Sequence, residues 1–444
     1  MLRGTRVSLD RLNLAVGEAK ANARGDLNFA ESSRSTRFSI GLNIPSLAKL
    51  GSIDGRPMRE QSLTLNANVV GGGGLLQVDD LTARLGDSDI RGKIRFEKGD
   101  VPNLNVEVQS DSVHFAPLLE EQELDYDPAP KFDDGRLIPD IAIPFDRMRN
   151  LNAHIKIDIG ELKRDALHVT DLKTDLELHD GELTLHDFRL QAPAGWLQAR
   201  GSLGPADGSG KATLAVAGRE IAFGISEHDT DLKGRNDLDV NLESSGTNIR
   251  SLAANLNGIL FVHSTNIVVP QNRFLKRLYG DMLTEIISTI NPFSKSSTIN
   301  RLDCVVIPLE ITKGMLINRP FTLAVNTKVR MVIRSSIDLG TEKLSLQFQT
   351  TPRKGITISA GEVLNPYVKV VGTLAKPTLA VDEQGVLISG GAAVATGGLS
   401  ILAKAVWQRL ARDKNPCQTA VEQSVEAIGS RFPDFTAPNN AQAN

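Results

Sequence analysis

The histidines and cysteines are the side chains of this sequence best suited to chemistry, and their spacing indicates no catalytic centre. The seven histidines are dispersed. The nearest two, His179 and His186, are separated by a predicted turn, so we interpret each as a residue of a polar sheet face rather than a metal ligand. The sequence contains no glycine-rich phosphate loop, nucleophile elbow, HExxH motif or CxxC pair. We therefore expect a chain that is not an enzyme and that holds no metal and no cofactor.

Cys304 and Cys417 are the two cysteines. The first is predicted to begin a strand and the second to begin the last helix, so a disulfide between them would tie the end of the chain to a sheet. Two buried free thiols fit the same pattern equally well. The residues alone leave both outcomes open.

A cluster of carboxylates in an acidic, proline-containing stretch is the remaining candidate for ligand chemistry. The stretch lacks the glycine and the terminal glutamate of a calcium-binding helix-loop-helix site. We interpret residues 116–150 as a loop or linker that interrupts the strands and holds no metal. Its carboxylates are Glu120, Glu121, Glu123, Asp125, Asp127, Asp133 and Asp134.

An internal repeat organises the rest of the chain. Residues 74–96 align without a gap with residues 181–203, and the apolar positions of the two segments coincide. Each copy predicts two strands joined by a polar turn. A fainter copy opens the chain at Leu12 and Leu27. Because such a unit cannot bury its apolar side alone, we predict that the copies stack into a long array.

The composition limits the classes of partner. The 50 basic and 53 acidic residues are interspersed, so the sequence predicts no basic face for a nucleic acid. Aromatic residues make up 5% of the chain, which is too few for stacking bases or sugars. A polysaccharide-acting enzyme on a β-solenoid is therefore disfavoured, since Trp196 and Trp407 are isolated.

The fold predicted from the alternation of apolar and polar residues is mostly β. We expect an elongated, antiparallel, curled sheet that forms a repeating β-groove, with a few amphipathic helices in the C-terminal third. Two sheets closed face to face as a sandwich are the alternative. The predicted regions are β-groove repeats at 1–115 and 151–245, the linker at 116–150, a C-terminal β region at 246–385, a helical segment at 386–430 and a disordered tail at 431–444.

One face of the predicted groove is apolar along its length. An empty trough of this size would expose more apolar surface than a soluble monomer normally does, so the pattern predicts a hydrocarbon occupant such as acyl chains. The candidate lining residues are Leu76, Val78, Ile90, Ile94, Ile155, Ile157, Leu183, Leu185, Leu197 and Leu203.

Three stretches of the last third predict helices. Residues 271–290 have an amphipathic pattern, with packing on the sheet and membrane contact as alternatives. Residues 386–403 carry no charge, and a helical hairpin on the sheet, a helix at a lipid surface and a short membrane span are all compatible with them. The last helix is predicted to begin after Asn415 as N-cap and to end before Gly429.

Four blocks of sequence resemble the carboxy-terminal region of the AsmA family of bacterial envelope proteins. In order they are SLAANLNGILFV at 251–262, LEITKGMLINRPFTLAV at 309–325, SIDLGTEKLSLQFQTTP at 336–352 and LNPYVKVVGTLAKPTL at 364–379. Cys304 and Cys417 also resemble the paired cysteines of that family, which implies a disulfide. The residues that carry the likeness are Leu256, Asn257, Gly258, Ile337, Asp338, Leu339, Leu344, Pro366, Gly372 and Pro377.

The resemblance implies a non-enzymatic periplasmic protein that holds phospholipid acyl chains in its β-groove and moves phospholipid between the inner and outer membranes. In the full-length protein an inner-membrane anchor is expected upstream, and we interpret this chain as a portion that lacks it. The expected partners are acyl chains, a membrane surface and other envelope proteins, with no nucleic acid. The alternative is an assembly scaffold that affects the targeting of outer-membrane proteins by strand addition.

Overall fold

The computed structural model describes residues 6–28, 36–53, 56–114, 135–164, 167–206, 208–222, 234–269, 300–327, 329–353, 368–381 and 413–435. The predicted helix at 271–290, the uncharged run at 386–403 and the acidic cluster at 120–134 lie outside the described residues. The chain divides into two compact units, the first consisting of residues 1–125, 144–208 and 225–228, and the second of residues 126–143, 209–224 and 229–444.

The first unit contains one main sheet. Its eleven long strands are hydrogen bonded in the order β1, β2, β3, β6, β7, β8, β9, β10, β11, β12 and β13, and the short β4 and β5 pair with each other. The strands are β1 (Arg6–Val16), β2 (Ala19–Asn28), β3 (Thr36–Ile44), β4 (Ser52–Ile53), β5 (Arg56–Pro57), β6 (Leu63–Gly72), β7 (Leu75–Leu85), β8 (Ser88–Glu97), β9 (Asn103–His114), β10 (Asn152–Arg164), β11 (Leu167–His179), β12 (Glu182–Gln191) and β13 (Trp196–Ala206), with one short helix, α1 (Phe145–Met148).

The second unit continues the same kind of architecture. Its strands pair in chain order, except that β17 pairs with both β18 and β19, and each of these also pairs with β20. The elements are β14 (Ser209–Ile221), β15 (Arg235–Gly246), α2 (Ile249–Ala254), β16 (Asn257–Val269), β17 (Asn300–Thr312), β18 (Met315–Asn318), β19 (Thr322–Asn326), β20 (Val329–Asp338), β21 (Lys343–Pro352), β22 (Val368–Thr373), β23 (Lys376–Val381) and α3 (Pro416–Ile428).

The mostly β, antiparallel fold class is confirmed, with one exception that the sequence did not predict. Strand β10 pairs with β9 in parallel, so that Val106 lies opposite Ile155 and Val108 opposite Ile157. A parallel pair needs a long connection to bring the chain back to the starting end of the strand. Residues 115–151 join the two strands in the chain, so the predicted linker is the segment that returns the chain to the starting end of β9.

The repeat appears as a shared irregularity of three hairpins. The register of β7 with β8 shifts between Val78 and Leu81, and that of β12 with β13 shifts between Leu185 and Phe188, which are the aligned positions of the two copies. In the fainter copy, β1 shifts against β2 between Leu9 and Leu12. A bulge at this place keeps the apolar residues before and after it on one face of the sheet.

Residues 135–143 of the predicted linker form an ordered segment of the second unit. The carboxylate of Glu342 accepts hydrogen bonds from the backbone N–H groups of Leu137, at 2.9 Å, and Ile138, at 2.8 Å. Arg250 donates to the carbonyl of Ile138 at 3.0 Å, and the backbone N–H of Ile143 donates to Thr247 at 2.9 Å. These bonds satisfy the backbone of an irregular segment that the sequence alone suggested was a free loop.

Replacing Glu342 is expected to release this segment. The side chain is 1% exposed and accepts from two consecutive N–H groups, so Glu342→Ala should cost about 1–3 kcal/mol in unfolding free energy by leaving them unsatisfied. Hydrogen exchange at the amides of Leu137 and Ile138 measures the release directly. Glu342→Gln, which retains one carbonyl acceptor, should give an intermediate rate. Unchanged exchange at both amides in Glu342→Ala would contradict this account.

The best-packed core of the second unit lies beneath α3. Ile259, Val306 and Leu323 are each 0% exposed and pack with Ala420 and Ile428 of the helix. Full burial of an aliphatic side chain contributes about 1.5–3 kcal/mol, so this contact holds the helix firmly on the sheet. The predicted helix bounds are confirmed, since Asn415 is the N-cap residue and Gly429, with φ of 60°, is the C-cap.

The disulfide implied by the family resemblance is present. Cys304 and Cys417 are bonded across 113 residues of sequence, with their Cα atoms 6.3 Å apart. Cys304 lies within β17 rather than at the beginning of a strand.

The start of the disordered tail was predicted too early in the chain, at residue 431. Arg431 pairs with Glu310 at 2.6 Å, and the ring of Phe432 lies 5.6 Å from that of Phe261. Residues 436–444 lie outside the described part.

Acidification is expected to weaken the attachment of α3. Hydrogen bonds from the Thr419 hydroxyl and the Asn415 N–H lower the pKa of Asp413, and the hydrogen bond from Arg431 lowers the pKa of Glu310. Both carboxyls have ordinary pKa values of about 4, so their stabilisation is complete above that pH. It is lost as the pH falls through the lower values of the folded state.

Urea unfolding at a series of pH values tests this expectation. When the pH is lowered from neutral to about 3, the unfolding free energy of the double variant Asp413→Asn/Glu310→Gln should decrease less than that of the wild-type chain. If the two proteins have the same pH dependence, these carboxylates do not contribute as stated.

Candidate functional site

A continuous row of apolar residues crosses every long strand of the first unit. Paired residues of neighbouring strands lie on the same face, so the register can be followed from one edge of the sheet to the other. Only small or apolar residues occur along this central row. They are Leu9, Gly25, Phe38, Val69, Val78, Ile94, Val106, Ile155, Leu176, Leu185 and Gly201.

Three further rows accompany the central row on the same face. On β7 and β8 the four rows appear as the pairs Leu76–Phe96, Val78–Ile94, Leu81–Gly92 and Ala83–Ile90. Polar residues interrupt the outer rows at Thr174 and Ser110, which lie opposite Ile157 and Ile159. We call this surface, with its four rows, the apolar face of the first unit.

All ten predicted lining residues lie on the apolar face. Val78, Ile94, Ile155 and Leu185 belong to the central row, and the remaining six belong to the rows beside it. These residues come from several strands, and it is the register of neighbouring strands that places them on one face. The remaining six are Leu76, Ile90, Ile157, Leu183, Leu197 and Leu203.

The apolar face is open among the residues that the structure describes. None of the ten lining residues is buried, and Leu76 and Ile90 are 46% and 36% exposed. The only other strands described in the first unit, β4 and β5, have two residues each and cannot form a second layer. A closed sandwich in this unit is therefore wrong for the described residues.

The size of the apolar face is unusual for a soluble surface. Residues two apart on one strand are separated by about 7 Å and neighbouring strands by about 4.8 Å, so four rows across the sheet cover on the order of 1,000 Å². The largest apolar patch of a typical monomer is roughly 300–600 Å². An open apolar face of this extent is suited to binding a large apolar ligand.

The opposite face of the first unit is polar and carries paired charges. Arg91 pairs with Asp111 at 2.5 Å, and Lys156 pairs with Asp175 at 3.4 Å. The hydrogen bond from His186, at 2.8 Å, lowers the pKa of Glu177. A depression of about 600 Å³ on this face is lined mainly by polar side chains, and it is not suited to hydrocarbon.

The histidines belong to this pattern of surface pairs. His154 bonds Asp175 and His168 bonds Glu161, each at 2.7 Å, in the same manner as His186 with Glu177. The described residues contain no group of three or more histidine, cysteine or acidic side chains arranged to hold a metal ion. His179 likewise lies 3.5 Å from the carboxylate of Asp180.

The second unit has an apolar face of its own. One row passes through Leu214, Leu242, Gly258, Ile311, Leu316, Ile337, Leu344, Gly372 and Pro377. Helix α3 contacts Ile259 and Phe261, which alternate with Gly258 and Leu260 along β16. Because alternate residues of a strand point to opposite faces, α3 packs on the face opposite this row.

Several residues of the apolar face were not among the predicted lining residues. Val106 and Leu176 lie in the central row between candidates that the sequence did identify, and Phe38 lies in the same row on β3, outside them. The same alternation of apolar and polar residues marks these strands, so the signal was present. The register, which joins the strands into one surface, was the missing information.

No protein-family model matches the chain, and no curated protein matches it. Among the described residues, no helix combines the length and apolar character needed to cross a bilayer.

Proposed function

We propose that this chain binds phospholipid acyl chains along the apolar face of the first unit and carries phospholipid between the inner and outer membranes of a bacterial envelope. The observation that supports this most directly is the uninterrupted central row on an open face. Each methylene transferred from water to an apolar surface contributes about 0.8 kcal/mol, so a long hydrocarbon chain can bind strongly without specific polar partners.

The binding mode requires no catalytic residue. Acyl chains lie on the apolar face while the head groups remain in water at the ends of the strands. Lipid moves along the rows from one strand to the next, because neighbouring strands present chemically similar side chains. The disulfide between Cys304 and Cys417 favours an oxidising compartment such as the periplasm. The resemblance to the AsmA carboxy-terminal region supports the same assignment.

Native mass spectrometry of the chain purified from bacterial cells tests the proposal. We expect masses that exceed that of the polypeptide by one or more phospholipids. Extraction with organic solvent should remove the added mass. A lipid-free mass, with or without a bound polypeptide, would contradict lipid transport, and the form with a polypeptide would favour the scaffold role.

A further inference from the structure

The depression on the polar face of the first unit crosses five neighbouring strands, β1, β2, β3, β6 and β7, of which the last four are paired on both sides. One row of residues across these strands carries no charge. At its middle is Gly41, where a Cβ atom would lie 2.7 Å from the side-chain nitrogen of Asn22. The Asn22 amide therefore lies over the glycine, in space that another side chain would occupy. The row is Asn13, Asn22, Gly41, Asn66 and Thr82.

A second row beside the first carries the charges of the depression. It consists of Arg11, Arg24, Ser39, Asn68 and Asp80. The Ser39 hydroxyl donates to Asn68 Oδ1 at 2.8 Å, and the Asn68 amide donates to the Asp80 carboxylate at 3.1 Å. Of the described residues that line the depression, Asp80 alone is acidic. Its carboxylate accepts this one bond from Asn68 and retains lone pairs for a hydroxyl donor.

The two arginines of the second row lie opposite each other at one end of the depression. The bulge of β1 places Arg11 on the polar face, where it faces Arg24 of β2. Both side chains are exposed, and neither guanidinium forms an ion pair with a described residue, Asp10 included. Like charges directly opposite each other on neighbouring strands destabilise a sheet. An anion bound between the two guanidiniums removes this repulsion and accepts charge-assisted hydrogen bonds from both.

We propose that the depression binds a phosphate ester that carries several hydroxyl groups, as in a sugar phosphate. The phosphate lies between Arg11 and Arg24, whose planar guanidiniums match its oxygens. Asp80 is three strands from Arg24, which is roughly 14 Å, so it does not repel the phosphate strongly. The volume of about 600 Å³ is within the range of small-ligand sites.

The uncharged part of the ligand lies over the middle strands. The amides of Asn22 and Asn66 each offer donors and an acceptor, which is the combination that a sugar hydroxyl requires. No aromatic ring lines the depression among the described residues, so the phosphate rather than stacking supplies most of the affinity. The site lies on the face opposite the apolar face, and it does not rest on the proposed binding of acyl chains.

Isothermal titration calorimetry of the whole chain with glucose 6-phosphate at low salt tests the proposal. We expect saturable binding at one site, with glucose and inorganic phosphate each binding at least tenfold more weakly. Arg24→Gln should raise the dissociation constant for glucose 6-phosphate about tenfold or more, because it removes one charge-assisted contact. Arg95→Gln removes the same charge from the polar face of β8, outside the depression, and should leave binding unchanged.

Asn66→Leu tests recognition of the hydroxyl groups separately from recognition of the phosphate. The exposed Asn66 side chain lies two strands from Arg24, so its loss should weaken glucose 6-phosphate severalfold and leave inorganic phosphate unaffected. Circular dichroism of each variant verifies the fold. Equal weakening of both ligands by Asn66→Leu would contradict the assigned orientation.

A second probe identifies the source of the phosphate ester. Glycerophosphoglycerol is the head group of phosphatidylglycerol without its acyl chains, so it reaches the depression independently of the apolar face. Tighter binding of this probe than of glucose 6-phosphate would indicate a lipid head group, and the reverse order would indicate a soluble sugar phosphate.

Three results would overturn the proposal. The first is the absence of binding by both probes at millimolar concentration. The second is inorganic phosphate binding as tightly as either probe, which would indicate an adventitious ion only. The third is binding that Arg24→Gln leaves unchanged, because another part of the chain would then hold the ligand.

Discussion

Leu185→Asp combined with Leu197→Asp is expected to remove most of the phospholipid that can be cross-linked to the first unit. Leu185 lies in the central row opposite Leu176, and Leu197 lies opposite Leu190 on the neighbouring strand. A carboxylate placed under acyl chains either loses its water or displaces the lipid. An unpaired charged group costs far more to bury than the about 1–3 kcal/mol of an unpaired neutral polar group. Cross-linking with a photoactivatable phospholipid, followed by denaturing electrophoresis, measures the effect.

The matched control places the same two charges on the other face of the same strands. Thr184 and Gln198 are adjacent to the substituted leucines in sequence and lie on the polar face, where Gln198 is opposite Arg189. Thr184→Asp/Gln198→Asp should therefore keep the wild-type yield of cross-linked lipid. Equal loss in both double variants would indicate a general effect of charge, and no loss in either would show that the apolar face does not hold the lipid.

Cys304→Ala combined with Cys417→Ala is expected to produce the largest loss of stability in the second unit. The bond closes a loop of 113 residues, for which the chain-entropy treatment gives up to about 4–5 kcal/mol of unfolding free energy. The helix then depends on its apolar contacts with Ile259, Phe261 and Val306 and on the hydrogen bonds of Asp413 and Glu310. We expect urea unfolding at a lower midpoint and faster amide exchange throughout α3.

Reduction of the wild-type protein is the matched control, since it breaks the same bond without changing the side-chain volume greatly. Wild-type protein in strong reductant and the double alanine variant should unfold at similar urea concentrations. A double variant as stable as the oxidised wild type would contradict the role assigned to the disulfide, and loss of lipid binding in it would show that the two units are coupled.

The sequence predicted the strands and the composition of the apolar face because both follow from local alternation. Val78, Ile90 and Ile94 each have polar neighbours on both sides, and alternation in a strand assigns each residue to a face without knowledge of the partner strand. The position of the bulges was also implicit in the sequence, since the repeat aligned the residues that flank them. These are properties of a few residues at a time.

The features that the sequence did not predict depend on residues distant in the chain. The parallel pairing of β9 with β10 depends on the path of the intervening residues, and Glu342 binds Leu137 and Ile138 from about two hundred positions away. The sequence also could not predict on which face of the sheet α3 packs, because the adjacent residues Ile259 and Leu260 are both apolar. In such a strand, alternation does not distinguish the face that receives the helix.

A cross-linking scan along β13 tests the central claim most directly. A photoreactive amino acid is placed in turn at each of six positions, and the chain is irradiated in cells and analysed for phospholipid adducts. We predict adducts at Leu197, Ala199 and Leu203, which lie on the apolar face, and none at Gln198, Arg200 and Ser202, which lie on the other. Adducts at all six positions, or at none, would contradict a phospholipid path along this face.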